Sequence, residues 1–249
     1  MTKEFKRGAI FLAVFLLCLA GIVKLSGDQY VLPGAGEKVT TDVGLFDNYL
    51  LLDDLMNQPG QGLPAEMKLR ALEDLGFVFT EEARQRMEEM PESGYADFLA
   101  SVGMGEFNYE TGEWTPLSDQ VYALDTEVYD ESTMYPLFFQ GLLSISGGEV
   151  PITDVIQDDS QVNWEEGTGL RQVKLNYNGK PYTIDTEAMF DWLDCSILKS
   201  VNDILAQEGA SKRYYAMWNN FQGMTILFFS PEEAKAFERA TGCRLATEL

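Results

Sequence analysis

The chain contains no histidine among its 249 residues. Imidazole is the one side chain that ordinarily titrates near neutrality. Its absence excludes Ser-His-Asp and Cys-His machinery, imidazole general bases and the ordinary zinc sites. Cysteine is nearly as scarce. Cys18 lies in an apolar N-terminal run, which leaves Cys195 and Cys243, too few for a thiolate metal site or a disulfide framework. An oxidising compartment would let that pair close, although Cys195 reads as a small core residue of a long helix. Neither standard spacing of a Gly-rich phosphate loop is present.

Positive charge is the next shortage. Lys and Arg number 18 against 40 Asp and Glu, a formal net charge of −22. Residues 25–169 hold five bases and 29 acids, whereas residues 170–249 hold nine and ten. No Lys or Arg occurs between Arg86 and Arg171. Phosphate binding needs clustered Lys and Arg, so nucleic acid and anionic membrane surfaces are excluded as partners of this region. A basic protein or peptide, or a cation, is the complementary choice.

Long hydrophobic runs are also few. The most apolar stretch is the uninterrupted uncharged run Gly8–Val23, preceded by Lys3, Lys6 and Arg7 and closed by Lys24. It is short for a spanning helix and long for the apolar part of a signal peptide, so two readings stand. Residues 1–25 are either a signal anchor or transmembrane helix, entering the membrane through residues 8–25, or a signal removed near Ala20. The basic flank places everything after Lys24 outside the cytoplasm, single-pass in the cell membrane or secreted.

Residues 26–41, with Gly27, Pro33, Gly34 and Gly36, have the composition of a tether. An acidic helical region, 42–105, follows. Leu45, Tyr49, Leu52 and Met56 define a short amphipathic helix stopped by Pro59-Gly60. Pro64–Leu75 predicts a second helix, Glu81–Met90 a third capped by Thr80, and Ala96–Ala100 a fourth. From 106 to 249 the pattern becomes α+β. Phe107–Pro116 reads as loop or hairpin tip, and Val121–Val128 and Val150–Ile156 as strands. Ser132–Ser144 reads as a helix that tolerates Pro136 in its first turn. Asp158–Gly169 reads as a polar, acidic loop.

Arg171–Leu249 is the most legible stretch. Gln172–Tyr177 alternates polar and apolar residues, Asn178-Gly179 suits a two-residue turn, and Pro181 suits an edge strand. Phe190, Leu193, Ile197, Val201 and Ile204 recur at helical spacing, with Gly209 beyond the end. Tyr214–Trp218 and Met224–Phe229 form a second hairpin with a longer loop. Tyr214 and Trp218 share one of its faces, Tyr215 and Met217 the other, so at least one face is expected to be buried. The last helix has a capping box, with Ser230 at the N-cap, Pro231 next and Glu233 reaching back, and Gly242 ends it. The order β-β-α-β-β-α predicts an antiparallel sheet with helices on one face.

With so many acids outside the N-terminal run, chance alone makes carboxylate pairs. Glu165 with Glu166, and Asp191 with Asp194 one helical turn apart, are the weak catalytic candidates, because two carboxylates suffice for acid–base work on a glycosidic bond. Asp154, Asp158 and Asp159 are the weak candidates for an irregular Ca2+ site; the spacing of a regular calcium loop is missing, and no cofactor is otherwise implied. Trp164, Tyr215, Trp218 and Phe221 are the binding candidates, since exposed rings stack on sugars or anchor a protein partner. Trp164, in a Gly- and acid-rich loop, is the best of them, and Trp114 also lies among acids.

The reading that follows is a non-enzymatic, acidic binding protein at the outer face of a bacterial cytoplasmic membrane, or exported across it. An extracytoplasmic hydrolase of glycans or cell wall using paired carboxylates is the alternative. A sensor or accessory domain for envelope assembly is a third.

Overall fold

The computed structural model describes residues 59–248 apart from 109, 112, 129 and 219–221, together with the backbone of three short strands earlier in the chain. Those strands are β1 (Lys24–Ser26), β2 (Gln29–Val31) and β3 (Val39–Thr40), paired antiparallel in that order. The apolar run Gly8–Val23 and the predicted helix around Leu45–Met56 lie outside the described residues. Among the described residues no helix is long and apolar enough to cross a membrane.

From Pro59 onward the chain is a mixed α+β unit. Its middle layer is a three-stranded antiparallel sheet of β6 (Val121–Asp125), β10 (Arg213–Trp218) and β11 (Gly223–Phe229), in the order β10-β11-β6. The central strand, Gly-Met-Thr-Ile-Leu-Phe-Phe, has no alternation of polarity, which is what burial on both faces demands. One face presents Tyr122, Tyr214, Ala216, Met224, Ile226 and Phe228 to one apolar cluster. The other presents Val121, Met217 and Leu227 to a second cluster. Both faces of the Tyr214–Trp218 hairpin are therefore covered.

The second cluster is closed by helices. These are α1 (Ala65–Glu73), α2 (Glu81–Glu89), α3 (Tyr95–Gly103) and the terminal α6 (Pro231–Thr241). Leu69, Leu72, Met87, Phe98, Leu99 and Phe237 fill it, with Phe79 edge-on to Phe98. The three helices before residue 105 thus share their apolar cluster with strands and a helix from beyond it. The α1 lysine Lys68 is fully buried and spends its ammonium on the Pro91 and Ser93 carbonyls, at 3.1 and 2.6 Å. Burial lowers its pKa.

The first cluster is closed differently. The helices α4 (Met134–Ser144) and α5 (Ile197–Gln207) contribute to it, and so does a second antiparallel sheet, β7 (Ile152–Asn163), β8 (Thr168–Tyr177) and β9 (Lys180–Glu187). Helix α4 is apolar almost all round, as an element with core on several sides must be. Its Gly141 faces the Tyr122 ring, which a β-carbon there would meet at 2.2 Å. On the opposite side Gly103 ends α3 against the β6 backbone, where a β-carbon would lie 2.8 Å from the Ala123 nitrogen. Strand β6 is pinched between two glycines.

Several expectations are corrected by this arrangement. The β-β-α-β-β-α order is present, but its four strands do not share a sheet: β8 and β9 join β7, whereas β10 and β11 join β6. Helices cover both faces of the latter sheet. The predicted acidic loop Asp158–Gly169 is mostly strand, because β7 runs to Asn163, β8 begins at Thr168 and only the turn Trp164–Gly167 separates them. The long helix begins at Ile197, so Phe190 and Leu193 precede it and Cys195 lies in a turn. Backbone pairing wins over the helical stripe there, since Leu193 N–H donates to Thr126 O at 2.7 Å and Val128 N–H to Asp191 O at 2.8 Å. Phe107–Pro116 resolves into a hairpin of β4 (Glu106–Asn108) and β5 (Glu113–Thr115).

Candidate functional site

The tip of the β7–β8 hairpin is built around one cation. Alternation along β8 turns Arg171, Val173, Leu175 and Tyr177 inward, and the first of these is an arginine with no exposed surface. A buried guanidinium needs counter-charge and acceptors. Asp159 on β7 supplies the charge, with its Oδ1 3.3 Å from Arg171 Nε. Arg171 Nη2 donates to the Phe190 carbonyl at 2.8 Å, and Nη1 approaches the Met134 sulfur at 3.3 Å. The Trp164 ring lies over the group, its centroid 5.2 Å from the guanidinium carbon.

Satisfaction is incomplete. Arg171 Nε, Asp159 Oδ1 and the Tyr135 hydroxyl are the buried side-chain polar atoms that lack a hydrogen bond of good geometry among the described residues. Tyr135 lies beside Thr186, Asp194 and Arg171, and burial pushes its phenol up to about 12. Thr186 in turn donates to the Arg171 carbonyl at 3.1 Å.

Two rings remain open to solvent at this tip. Trp164 is 46% exposed and Phe190 is 53% exposed. Phe190 sits at φ +56, in the left-handed region that a bulky residue rarely occupies. Its ring presses on Gly167, where a β-carbon would come within 2.3 Å, so only glycine fits beneath it. Between the rings the turn carries Glu165 and Glu166, both exposed.

The sequence candidates fall out as follows. Trp164 is exposed, as expected of it. Tyr215 is half-buried; the Trp218 side chain and Phe221 lie outside the described residues. Glu165 and Glu166 stand on the turn. Asp194 is occupied by backbone donors, its Oδ2 accepting from Glu187 N–H at 2.8 Å and its Oδ1 from Ser196 N–H at 3.0 Å. Asp191 is half-buried in the same segment, not on a helix. The proposed calcium ligands are spread along β7, each with its own partner: Asp154 takes Asn176, Asp158 takes Lys174 at 2.6 Å, and Asp159 takes Arg171. These are cross-strand pairs of the kind that hold sheets together. Among the described residues no group of three or more acids or cysteines is placed to hold a metal.

Carboxylates with clearly displaced titration are displaced downward. Hydrogen bonds to Ser132 lower Asp130, bonds to Asn176 and Thr153 lower Asp154, and Lys174 lowers Asp158. A general acid for glycosidic cleavage needs the opposite. Among the described residues Cys195 and Cys243 are free, and burial raises their thiols, Cys195 to about 12 and Cys243 to about 11, which disfavours the reactive thiolate at both.

Ser196 and Lys199 have the Ser-x-x-Lys spacing of serine acyl-transfer enzymes. Both are exposed at the start of α5. Lys199 Nζ donates to Asp203 at 2.7 Å, and that partner raises its pKa, so it stays protonated and is no base. The adjoining cleft, lined by Asn202, Asp203, Arg213 and Glu248, encloses about 160 Å3. That is below the size usual for small-molecule sites.

No family model, curated protein or solved structure matches this chain.

Proposed function

We propose that this is a non-enzymatic binding protein whose acidic surface takes a basic protein or peptide, working outside the cytoplasm. The observation that carries the reading is the charge distribution. Residues 25–169 hold 29 acids against five bases, a field that attracts and orients a cationic partner. Two further observations support it. The described residues include a small cleft, while large apolar side chains stand exposed on the β7–β9 sheet and beside it, namely Ile156, Trp164, Leu170 and Phe190. Exposed apolar groups set in charge are the usual composition of a recognition surface. The apolar run Gly8–Val23 would hold or export the protein.

The test is a titration of the full-length chain, in non-ionic detergent, with a fluorescein-labelled oligo(Arg-Ala) peptide followed by anisotropy. Binding is expected at low salt and should weaken about tenfold or more as ionic strength rises to about 0.5 M, where screening shortens to a few ångströms. Absence of binding at low salt, or affinity indifferent to salt, overturns the reading.

A further inference from the structure

We propose that the tip of the β7–β8 hairpin is the anchor point for an arginine or lysine side chain of the basic partner, an inference that rests on the reading just given. The occupant follows from what surrounds the rings. Trp164 and Phe190 are the exposed aromatics of the sheet region, and the turn between Trp164 and Gly167 carries two free-standing carboxylates, Glu165 and Glu166. Asp191 follows Phe190 directly. No base stands on the turn itself; the nearest in sequence, Arg171, is wholly buried and already neutralised by Asp159.

The two rings have different parts. Arg171 occupies the inner face of Trp164, so that face is closed to a second cation. The ring still offers an apolar wall, along which the methylenes of a long basic side chain can lie. Phe190 offers the π face, against which no cation lies among the described residues, and rings attract Arg and Lys heads through their quadrupole. The carboxylates of Glu165 and Glu166 then receive the charge, Arg better than Lys because its planar fork takes two oxygens at once.

The anchor is held in advance. Phe190 is fixed in a left-handed backbone conformation by Arg171, which bonds its carbonyl, and by Gly167, which lies under its ring. Left-handed conformations of bulky residues persist where surroundings over-determine them, and they gather at binding sites. Here the arginine holds both residues at once, Trp164 by lying against its ring and Phe190 by a hydrogen bond to its backbone carbonyl. A rigid anchor loses little side-chain freedom on binding.

The experiment uses the same peptide and the full-length chain. Phe190→Leu is expected to weaken binding about 3- to 30-fold, the range of a cation–π contact, and Trp164→Ala, which removes the apolar wall, about 4-fold or more, the worth of one or more buried methylenes. The pair Glu165→Gln with Glu166→Gln is expected to weaken it and to flatten its salt dependence. Glu88→Gln with Glu89→Gln removes equal charge from exposed positions on α2 and should have much less effect. Because Trp164 covers a buried arginine, melting curves accompany each variant. Should Trp164→Ala fail to fold, Phe190→Leu, which keeps bulk without the π face, carries the test. Folded ring variants that bind like wild type overturn the anchor while salt-sensitive binding by wild type leaves the basic-partner reading standing. No binding by wild type overturns both.

Discussion

Asn202 shows what one side chain does for this fold. It is buried on α5 and its amide meets an edge strand, accepting from Tyr214 N–H at 2.9 Å and donating to Tyr214 O at 2.8 Å and Thr247 O at 2.9 Å. Changing Asn202 to Ala leaves buried peptide groups without partners, which costs about 2–3 kcal/mol. Urea unfolding should show that loss as a lower midpoint with unchanged slope; a shift under about 0.5 kcal/mol would mean water replaces the amide. Neither this role nor that of Arg171 was legible in the sequence. An inward arginine sits in the same alternating pattern as an outward one, and its partners, Asp159 and the Phe190 carbonyl, come from other segments. Trp164 was legible because a ring amid Gly and acid has few ways to be buried. Phe190 was assigned to a helix because its spacing to Leu193 and Ile197 fits one, whereas long-range backbone pairing holds it elsewhere.

Elements with local signals came out as expected. Thr80 caps α2 by accepting from Ala83 N–H, and both halves of the Ser230–Glu233 box are made at the start of α6. Asn178 and Gly179 both take positive φ in the β8–β9 turn, and Pro181 lies on the edge strand β9. Changing Ser230 to Ala should cost about 1 kcal/mol, because Glu233 N–H loses its acceptor while the bond from Ser230 N–H to the Glu233 carboxylate remains. Thermal unfolding checks this, and a Thr at the same position should restore most of the stability. What failed at this scale was the span of β7. Beyond Ile156 its polar, acidic sequence reads as loop because nothing local reveals that Lys174 waits across the strand for Asp158.

At the scale of the whole molecule, stability and charge are linked through those pairs. Asp130, Asp154, Asp158, Glu208 and Glu233 all have pKa values lowered by their native partners. A group depressed in the folded state stabilises it above the ordinary carboxyl range, near 4, and that contribution is lost as pH falls through the native value. The melting temperature should therefore hold between about pH 5 and 7 and fall as pH drops below about 4. A melting temperature that rises on acidification would mean that relief of self-repulsion among the 40 acids outweighs these pairs. Which hairpin joins which sheet was not legible, because β6 is separated in sequence from β10 and β11, with which it shares a sheet, and local periodicity carries no information about that choice.

The outer peptide groups of β10 are already taken, by the Asn202 amide at Tyr214 and by Ala246, which exchanges two backbone hydrogen bonds with Ala216 at 2.7 and 2.9 Å. A strand covered in this way offers no template along that stretch for a neighbouring copy to extend the sheet. The residues after α6 thus act as a guard against aggregation, closing the side of the sheet on which β10 would otherwise recruit its own kind.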